Sequence, residues 1–478
     1  MTESLKKQTI NGLMWNTIRN FSQKGISFFI GIILARLLSP NDYGMLAMIG
    51  VFTAIVCIFT DGGLTDALIR KQNRTEKDLA TVFYYNFVVT CLVYFLLFIC
   101  APWIADFYDM PELIPLVRWS NIVLIIGSFG VIQGALLTIK IDFKTHAQIA
   151  IVSCVISGIV GVSAAYMGCG VWSLVVQNIV GTIIGIGGGI WCVRWYPKTH
   201  FSMQSFKELF GFSSRLLVSR LLVVLYDNMQ TVVIGKFFSA TQLGLFNRAQ
   251  STAAFPSSNL TSILSGVSFP VLSKIQDNDI KLAVNYRKML RLSAFVVFPL
   301  MVGLAATAES FVKFVLTEKW MSAVPYMQVV CFAMMWYPIH SINMNLLQIK
   351  GRSDLFLRVE IIKKIIGVII LCVTVSFGVL AMCYGMLVMS FLSLFINTYY
   401  TGKLINVGFK EQLHDLWPIF LNCLLMGGLA YTVQSLFTNV ALSFSLSVVL
   451  GGLYYVASSY FMKLKEVDEL LQILTNKY

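Results

Sequence analysis

Residues 32 to 39 read Ile32-Ile33-Leu34-Ala35-Arg36-Leu37-Leu38-Ser39, with Tyr43-Gly44-Met45 just beyond them. The pattern returns 200 positions later as Val232-Val233-Ile234-Gly235-Lys236-Phe237-Phe238-Ser239, with Leu243-Gly244-Leu245. A second pair, Leu136-Leu137-Thr138-Ile139-Lys140 and Leu346-Leu347-Gln348-Ile349-Lys350, stands 210 apart. Both matches keep the same order at nearly one offset, and each lies at the end of an apolar run. The chain therefore reads as a tandem duplication with a unit of about 200 residues.

The duplicated unit is built for lipid. Of 478 residues 57% are hydrophobic and only 12% charged, with mean hydropathy +0.75, whereas a soluble domain carries about a quarter charged residues. Apolar runs separated by loop signals predict helices over 10–37, 43–60, 79–101, 113–138, 146–167, 171–194, 206–238, 243–272, 287–310, 323–349, 355–378, 380–402, 413–437 and 441–462. This is an all-α integral membrane protein of about fourteen transmembrane helices. Twelve fall into two six-helix lobes, 1–202 and 203–405, and two more belong to a C-terminal segment, 406–478, that ends in a cytoplasmic tail. Six is even, so the lobes are parallel repeats about an axis along the membrane normal, as in alternating-access transporters.

Several function classes drop out. The polar stretches are too short to fold around a core of their own, and no GxxxxGK[ST] phosphate loop occurs. The glycines in Gly181-x-x-x-Gly185-x-x-x-Gly189 read as close helix packing. Ten cysteines lie in or beside apolar runs without a CxxC pair, which predicts neither disulfides nor a metal site, and no cofactor is expected. The N-terminus lacks a signal-peptide pattern. The net charge of +13 is a topology signal and gives no reason to invoke nucleic acid: twenty-six of the 36 basic residues sort to one side of the predicted spans. By the positive-inside rule that side, with both termini, is cytoplasmic.

Basic residues inside spans are costly and usually face a cavity or partner. Arg19, Lys24, Arg215, Arg220 and Arg248 occupy only the first, seventh and eighth segments. At 100° per residue, Asn16, Arg19, Asn20, Gln23 and Ser27 share one face of the first segment. Arg215, Ser219, Tyr226 and Gln230 repeat the arrangement on the seventh. The eighth carries a stripe of Arg248, Thr252, Phe255, Asn259 and Ser262 around Pro256, whose freed backbone must be satisfied by protein or cavity water. The product is a central lumen with a positive lining, suited to phosphate through the bidentate guanidinium fork and to sugar hydroxyls through its amides. Snorkelling to the interface is the competing reading for Lys24 and Arg19. Asp61, Asp227, Glu360 and His340 are the candidates for coupling to a proton or sodium ion. For His340 a hydrogen-bonded structural role is the stronger reading, and Glu360 with Lys363 and Lys364 has helical pair spacing.

The stretch from Asp227-Asn228 through Ile234-Gly235-Lys236-Phe237 to Leu243-Gly244-Leu245-Phe246-Asn247-Arg248-Ala249 resembles a pattern at the seventh-to-eighth helix junction of the polysaccharide transporter family. These are the Wzx-type flippases of the multidrug/oligosaccharidyl-lipid/polysaccharide (MOP) exporter superfamily, with a MATE-like fold. Leu34-Ala35-Arg36-Leu37-Leu38-Ser39-Pro40 with Tyr43-Gly44, and Asp61-Gly62-Gly63-Leu64 running to Ala67-Leu68-Ile69-Arg70, look like the first-lobe counterparts. Phe246 departs from the usual Tyr, and Phe238-Ser239 from a common Leu-Gly.

The resemblance implies a bacterial inner-membrane flippase, not an enzyme, moving undecaprenyl-pyrophosphate-linked oligosaccharide to the periplasmic leaflet for O-antigen, capsule or exopolysaccharide assembly. Polysaccharide polymerase and chain-length machinery are its implied partners. It also implies cationic lumen residues, transferred here to Arg19 and Arg248 and then to Arg215 and Arg220. Two rivals stand beside it. A sodium- or proton-coupled MATE-type small-molecule exporter of cationic drugs would need a lumen carboxylate on the first helix, and no Asp or Glu lies between Glu3 and Asp42. A membrane polymerase or ligase would need a sizeable outer loop, and His146, His200, His340 and His414 are scattered.

Overall fold

The computed structural model describes residues 3–467, leaving the side chains of residues 3–13, Asn16, Asp61, residues 212–216 and Val267 outside the described set. The expectations placed on the side chains of Asn16, Asp61 and Arg215 lie outside the described residues. Among those described, the chain is helical throughout, without a strand. The helices are α1 (Glu3–Leu37), α2 (Pro40–Asp61), α3 (Leu64–Arg70), α4 (Glu76–Tyr108), α5 (Leu113–Ser120), α6 (Ile122–Ser128), α7 (Val131–Ile139), α8 (Phe143–Tyr166), α9 (Trp172–Val193) and α10 (Met203–Phe237). There follow α11 (Ala240–Ser273), α12 (Asp279–Ala306), α13 (Ala308–Phe311), α14 (Val324–Met334), α15 (Tyr337–Ile349), α16 (Ser353–Thr374), α17 (Val379–Ile405), α18 (Phe409–Leu436) and α19 (Val440–Phe461).

All fourteen predicted segments are helical; the fourth and the tenth break in mid-span, at equivalent places in the two repeats, and the ninth breaks near its end at Thr307. The fourth is split into α5, α6 and α7, with a 45° bend between Leu113–Ser128 and Val131–Ile139. The tenth is split into α14 and α15, where Pro338 enters the first turn of α15 without an N–H to donate back. By length and composition nine described helices can cross a membrane, or ten with the bent pair. Those that fall short are α1, α11, the broken α14–α15 segment and α16. Three of them, α1, α11 and α16, carry charged groups within the predicted span. Phe29, Leu92, Phe95, Trp103, Ile159 and Leu425 are each more than half exposed. Such a surface is unfavourable in water and suits hydrocarbon. The protein is a multi-span membrane protein.

The chain forms two compact units, Met1–Gly244 and Leu245–Tyr478. In the first, α8 packs along both α9 and α1, and α10 lies against α2, α3 and α4. Helix α2 starts with a capping box in which Ser39 and Asp42 satisfy each other's backbone, with Pro40 in the first turn. Close approach follows at Gly44, where a Cβ would overlap the carbonyl oxygen of Ala240, and at Gly244, where one would overlap the carbonyl of Pro40. Residues 40 and 44 correspond to 240 and 244 in the repeat, so the contact is reciprocal. A local two-fold between duplicated helices produces that signature. The Gly181 stripe packs as the spacing predicts, a Cβ there standing 3.2 Å from Ser157 Cβ, whereas Gly185 has only an ordinary contact, 3.6 Å to Ser153 Oγ.

The second unit is organised around α12, whose Tyr286, Leu290, Ala294, Val297, Phe298 and Met301 are fully buried. Helices α14, α15, α17 and α18 pack on it, and α19 packs on α18. Where these helices converge, Tyr286 Oη donates to Asn343 Oδ1 at 2.8 Å, and Gln412 Nε2 lies 3.1 Å from each of Tyr286 Oη, Asn343 Oδ1 and Thr401 Oγ1. Arg287 clamps Asp415 through two bonds of 2.6 Å, and Arg291 reaches Glu466 at 2.8 Å. Helix α18 is thus clamped to α12 by charge-assisted bonds, and the segment after α19 is tied to it by an ion pair. Removing the buried carboxylate should destabilise the protein by about 3 kcal/mol, the lower end for a buried pair because Arg287 is 38% exposed. Thermal unfolding of Asp415→Ala in a membrane mimetic checks this, and a midpoint equal to that of the parent protein would contradict it.

Candidate functional site

The polar face of α1 is met by α8. Arg19 is half-buried, and its Nη1 donates to His146 Nδ1 at 3.0 Å. A guanidinium can only donate, so His146 accepts through Nδ1 and carries its proton on Nε2. This partner is a neutral imidazole, which orients the Arg19 charge without cancelling it. Arg19 Nε is buried without a hydrogen-bond partner. Further along the same face, Ser27 Oγ lies 3.3 Å from Cys154 Sγ. Asn20, Gln23 and Lys24 are exposed on α1. Of the residues predicted on this helix, Arg19, Asn20, Gln23 and Ser27 keep to one side, and His146 is the partner that reading the sequence for acid/base pairs missed.

On α10, Arg220 pairs with Asp66 of α3 at 2.5 Å, both about half exposed. Asp227, Tyr226 and Gln230 follow on the same helix, Asp227 exposed and the other two half-buried. The carboxylate that reaches Arg220 comes from α3, a short helix between predicted spans. At the far end of α10, Lys236 of the repeated motif bonds Asp109 at 2.9 Å and stands 5.3 Å from the Phe107 ring. In the loop before α4, Lys71 bridges Asp78 and Glu208 at 3.0 Å each. Burial pulls the Lys71 ammonium down, but its two carboxylate partners outweigh that and raise its pKa above the usual lysine value.

On α11 the Arg248 guanidinium lies 5.3 Å from the centre of the Trp320 ring, within cation–π range. Thr252 is buried one turn on, and Asn259 is half-buried. The helix runs unbroken through Pro256. Around that proline, Ser257 Oγ donates to Met334 O at 2.7 Å and Ser258 Oγ to Ala254 O at 2.7 Å. These bonds satisfy the two serine hydroxyls beside the proline within the protein, where lipid offers no partner.

Two of the coupling candidates sit in hydrogen-bonded structure. His340 Nε2 lies 3.0 Å from Ser390 Oγ, and its Nδ1 lies 3.4 Å from Asn397 Nδ2. Glu360 pairs with Lys363 one turn on at 2.5 Å. No group of three or more His, Cys, Asp or Glu able to hold a metal occurs among the described residues.

If the Arg19–His146 bond carries the geometry of this face, His146→Phe should cost about 1–3 kcal/mol by leaving the guanidinium short of an acceptor. His146→Gln, which restores a carbonyl acceptor, should recover most of it. Thermal unfolding of the two variants decides the point, and equal loss in both would show that ring volume, not the hydrogen bond, matters.

A duplicated, all-helical membrane bundle with guanidinium and amide groups along the faces of its predicted spans is the build of a transporter. Residues 33–325 match the family model described as polysaccharide biosynthesis protein, and the chain belongs to that family. It is 26% identical over 463 residues to the teichuronic acid biosynthesis protein TuaB of Bacillus subtilis (strain 168), covering 95% of each chain. It is 24% identical to the lipopolysaccharide biosynthesis protein WzxC of Escherichia coli (strain K12), covering 94% of this chain and 89% of that one. Among solved structures it resembles the lipid II flippase MurJ in an inward closed conformation, at TM-score 0.74 and 15% identity, covering 94% of this chain and 99% of that one. It also resembles an inward-facing MATE multidrug transporter of the MOP superfamily, at TM-score 0.58 and 12% identity, covering 80% and 95%. At these identities the likeness to solved structures establishes the fold.

Proposed function

We propose that this protein is a flippase that carries undecaprenyl-pyrophosphate-linked oligosaccharide from the cytoplasmic to the outer leaflet of the bacterial cytoplasmic membrane. The oligosaccharide unit feeds surface polysaccharide assembly. The observation that carries the reading is the intramembrane guanidinium of Arg19, held by a neutral imidazole, on the first helix of a transporter fold. A fixed positive charge repels cationic drugs and attracts pyrophosphate, and its planar fork fits two phosphate oxygens. Names among the relatives, teichuronic acid and lipopolysaccharide biosynthesis, place similar chains with surface glycans, and the flippase likeness supports movement of a lipid-linked sugar.

In this reading Arg19 and Arg248 bind the pyrophosphate with Arg215 or Arg220 assisting, and Lys24, Asn16, Asn20, Gln23, Tyr226, Gln230, Thr252 and Asn259 complete a polar lining. The lobes 1–202 and 203–405 alternate access while 406–478 buttresses α12. Both termini are cytoplasmic. The tail of the cargo stays in the bilayer while its head passes through the protein, which removes the cost of several kcal/mol per hydroxyl of crossing hydrocarbon unsatisfied. A proton or sodium ion is the coupling ion in this reading, with Asp61, Asp227, Glu360 and His340 as its candidate sites.

Glycan export per molecule of membrane-inserted protein is the test. Arg248→Ala should lower it at least tenfold, Arg248→Lys should recover part of it because an ammonium keeps the charge but loses the fork, and Arg248→Glu should be worse than Ala. Arg19→Ala should lose export in the same way. Normal export per molecule in both Ala variants would overturn the cationic mechanism.

A further inference from the structure

A cavity of about 800 Å³ lies inside the first unit, among α1, α3, α7, α8 and α9. Its volume is within the range of roughly 300–1,000 Å³ typical of small-molecule sites. None of the described residues lining it carries a fixed charge: its polar groups are carboxamides such as Gln23, Gln133 and Asn178, hydroxyls such as Ser153, and His146. The cavity therefore differs in chemistry from the guanidinium groups assigned to the phosphates.

Two observations show a site made for a ligand. The first is an unanswered polar group: Gln133 is 4% exposed and lines the cavity, its Nε2 bonds Trp195 O at 3.4 Å, and its Oε1 has no hydrogen-bond partner. Thr65, on the cavity wall, likewise has an unpartnered buried hydroxyl. Leaving such an atom unsatisfied costs about 1–3 kcal/mol, which a donor within the cavity would remove. The second is the volume itself. Gly134 lines the cavity in the middle of α7, and a Cβ there would meet nothing within 4 Å. A glycine in a helix interior costs up to about 1 kcal/mol against alanine, and here close packing does not account for it. What Gly134 supplies is open space.

We propose that this cavity is a binding site for a neutral, hydroxyl-rich sugar, the head of the lipid-linked cargo. This deepens the flippase reading and rests on it. Carboxamides and hydroxyls both donate and accept, as sugar hydroxyls do, and the absence of fixed charge disfavours phosphate here. The pyrophosphate and the sugar would then be held by different groups.

Cys154 lines the cavity beside Ser27 and reports its occupancy. The protein is placed in lipid nanodiscs without maltoside detergents, and alkylation of the Cys154 peptide by N-ethylmaleimide is followed by mass spectrometry. The probe is dodecyl maltoside below its micelle concentration, a neutral disaccharide on an acyl chain. Its control is lauryldimethylamine oxide, with the same chain length and no sugar. The maltoside should slow Cys154 alkylation at least fivefold, the amine oxide should not, and Gln133→Met, which keeps the volume but removes the amide, should abolish the protection. Equal protection by both would make the occupant an acyl chain, and protection by neither would leave no sugar site; either result overturns the proposal. Gly134→Leu, favourable to the helix and filling the space, should lower glycan export per molecule at least tenfold, and normal export at normal abundance would also overturn it. Arg248→Ala should lose export yet keep the maltoside protection, so the sugar site and the phosphate site fail separately.

Discussion

In hydrocarbon every backbone N–H and C=O has to find its partner within the chain, and the rest of this structure is arranged around that constraint. It makes the protein helical throughout its described residues, and it makes every polar interruption of a helix a feature with a cause. Duplicated helices can then approach only through side-chain packing or through bare backbone. The second route is used where α2 and the start of α11 cross: Gly44 lies on Ala240 and Gly244 on Pro40, each glycine facing the other repeat's first helical residue. Because the contact is between main chains, neither glycine tolerates a Cβ without displacing backbone. The repeated Tyr43-Gly44 and Leu243-Gly244 dipeptides are conspicuous in the sequence at the same positions.

The same solvent gives meaning to the charged groups. Most basic residues gather at the predicted cytoplasmic ends, where they orient the chain and meet nearby acids, as in Lys71 with Asp78 and Glu208 or Arg287 with Asp415. Arg19 is different, since its hydrogen-bond partner is an imidazole. A structural brace would more economically use a carboxylate, which cancels the charge. Holding a guanidinium by a neutral acceptor keeps the positive charge available to an anion. The amide-rich cavity of the first unit offers the complementary chemistry, neutral groups for a neutral sugar.

Much of this was legible in the sequence because the signals were local or periodic. Apolar runs marked every long helical segment, though not the short α3, and the period of about 200 marked the duplication. The polar face of α1 followed from helical spacing alone. Partners supplied by distant segments were not legible. Nothing along the chain links Arg19 to His146, Arg220 to Asp66 or Arg248 to Trp320, because side chains 72 to 154 positions apart meet only after the helices pack. The breaks in the fourth and tenth segments were also missed, since apolar runs resume directly after Asn121, Gly130 and Trp336. The glycine stripe on α9 was read as packing throughout, and only the structure shows that Gly181 and Gly185 both border the cavity, Gly181 in tight contact with Ser157 and Gly185 in ordinary contact with Ser153.

The central claim is that a fixed positive charge on intramembrane helices carries a pyrophosphate-linked sugar across the bilayer. Reconstitution of the purified protein in proteoliposomes with a labelled undecaprenyl-pyrophosphate oligosaccharide, followed by the rate at which the glycan becomes accessible to a glycosidase on the opposite side, tests it most directly. Rapid transfer that is lost when Arg19 and Arg248 are both replaced by alanine is the predicted result. Transfer no faster than in protein-free liposomes, or equally fast with both arginines removed, would contradict it.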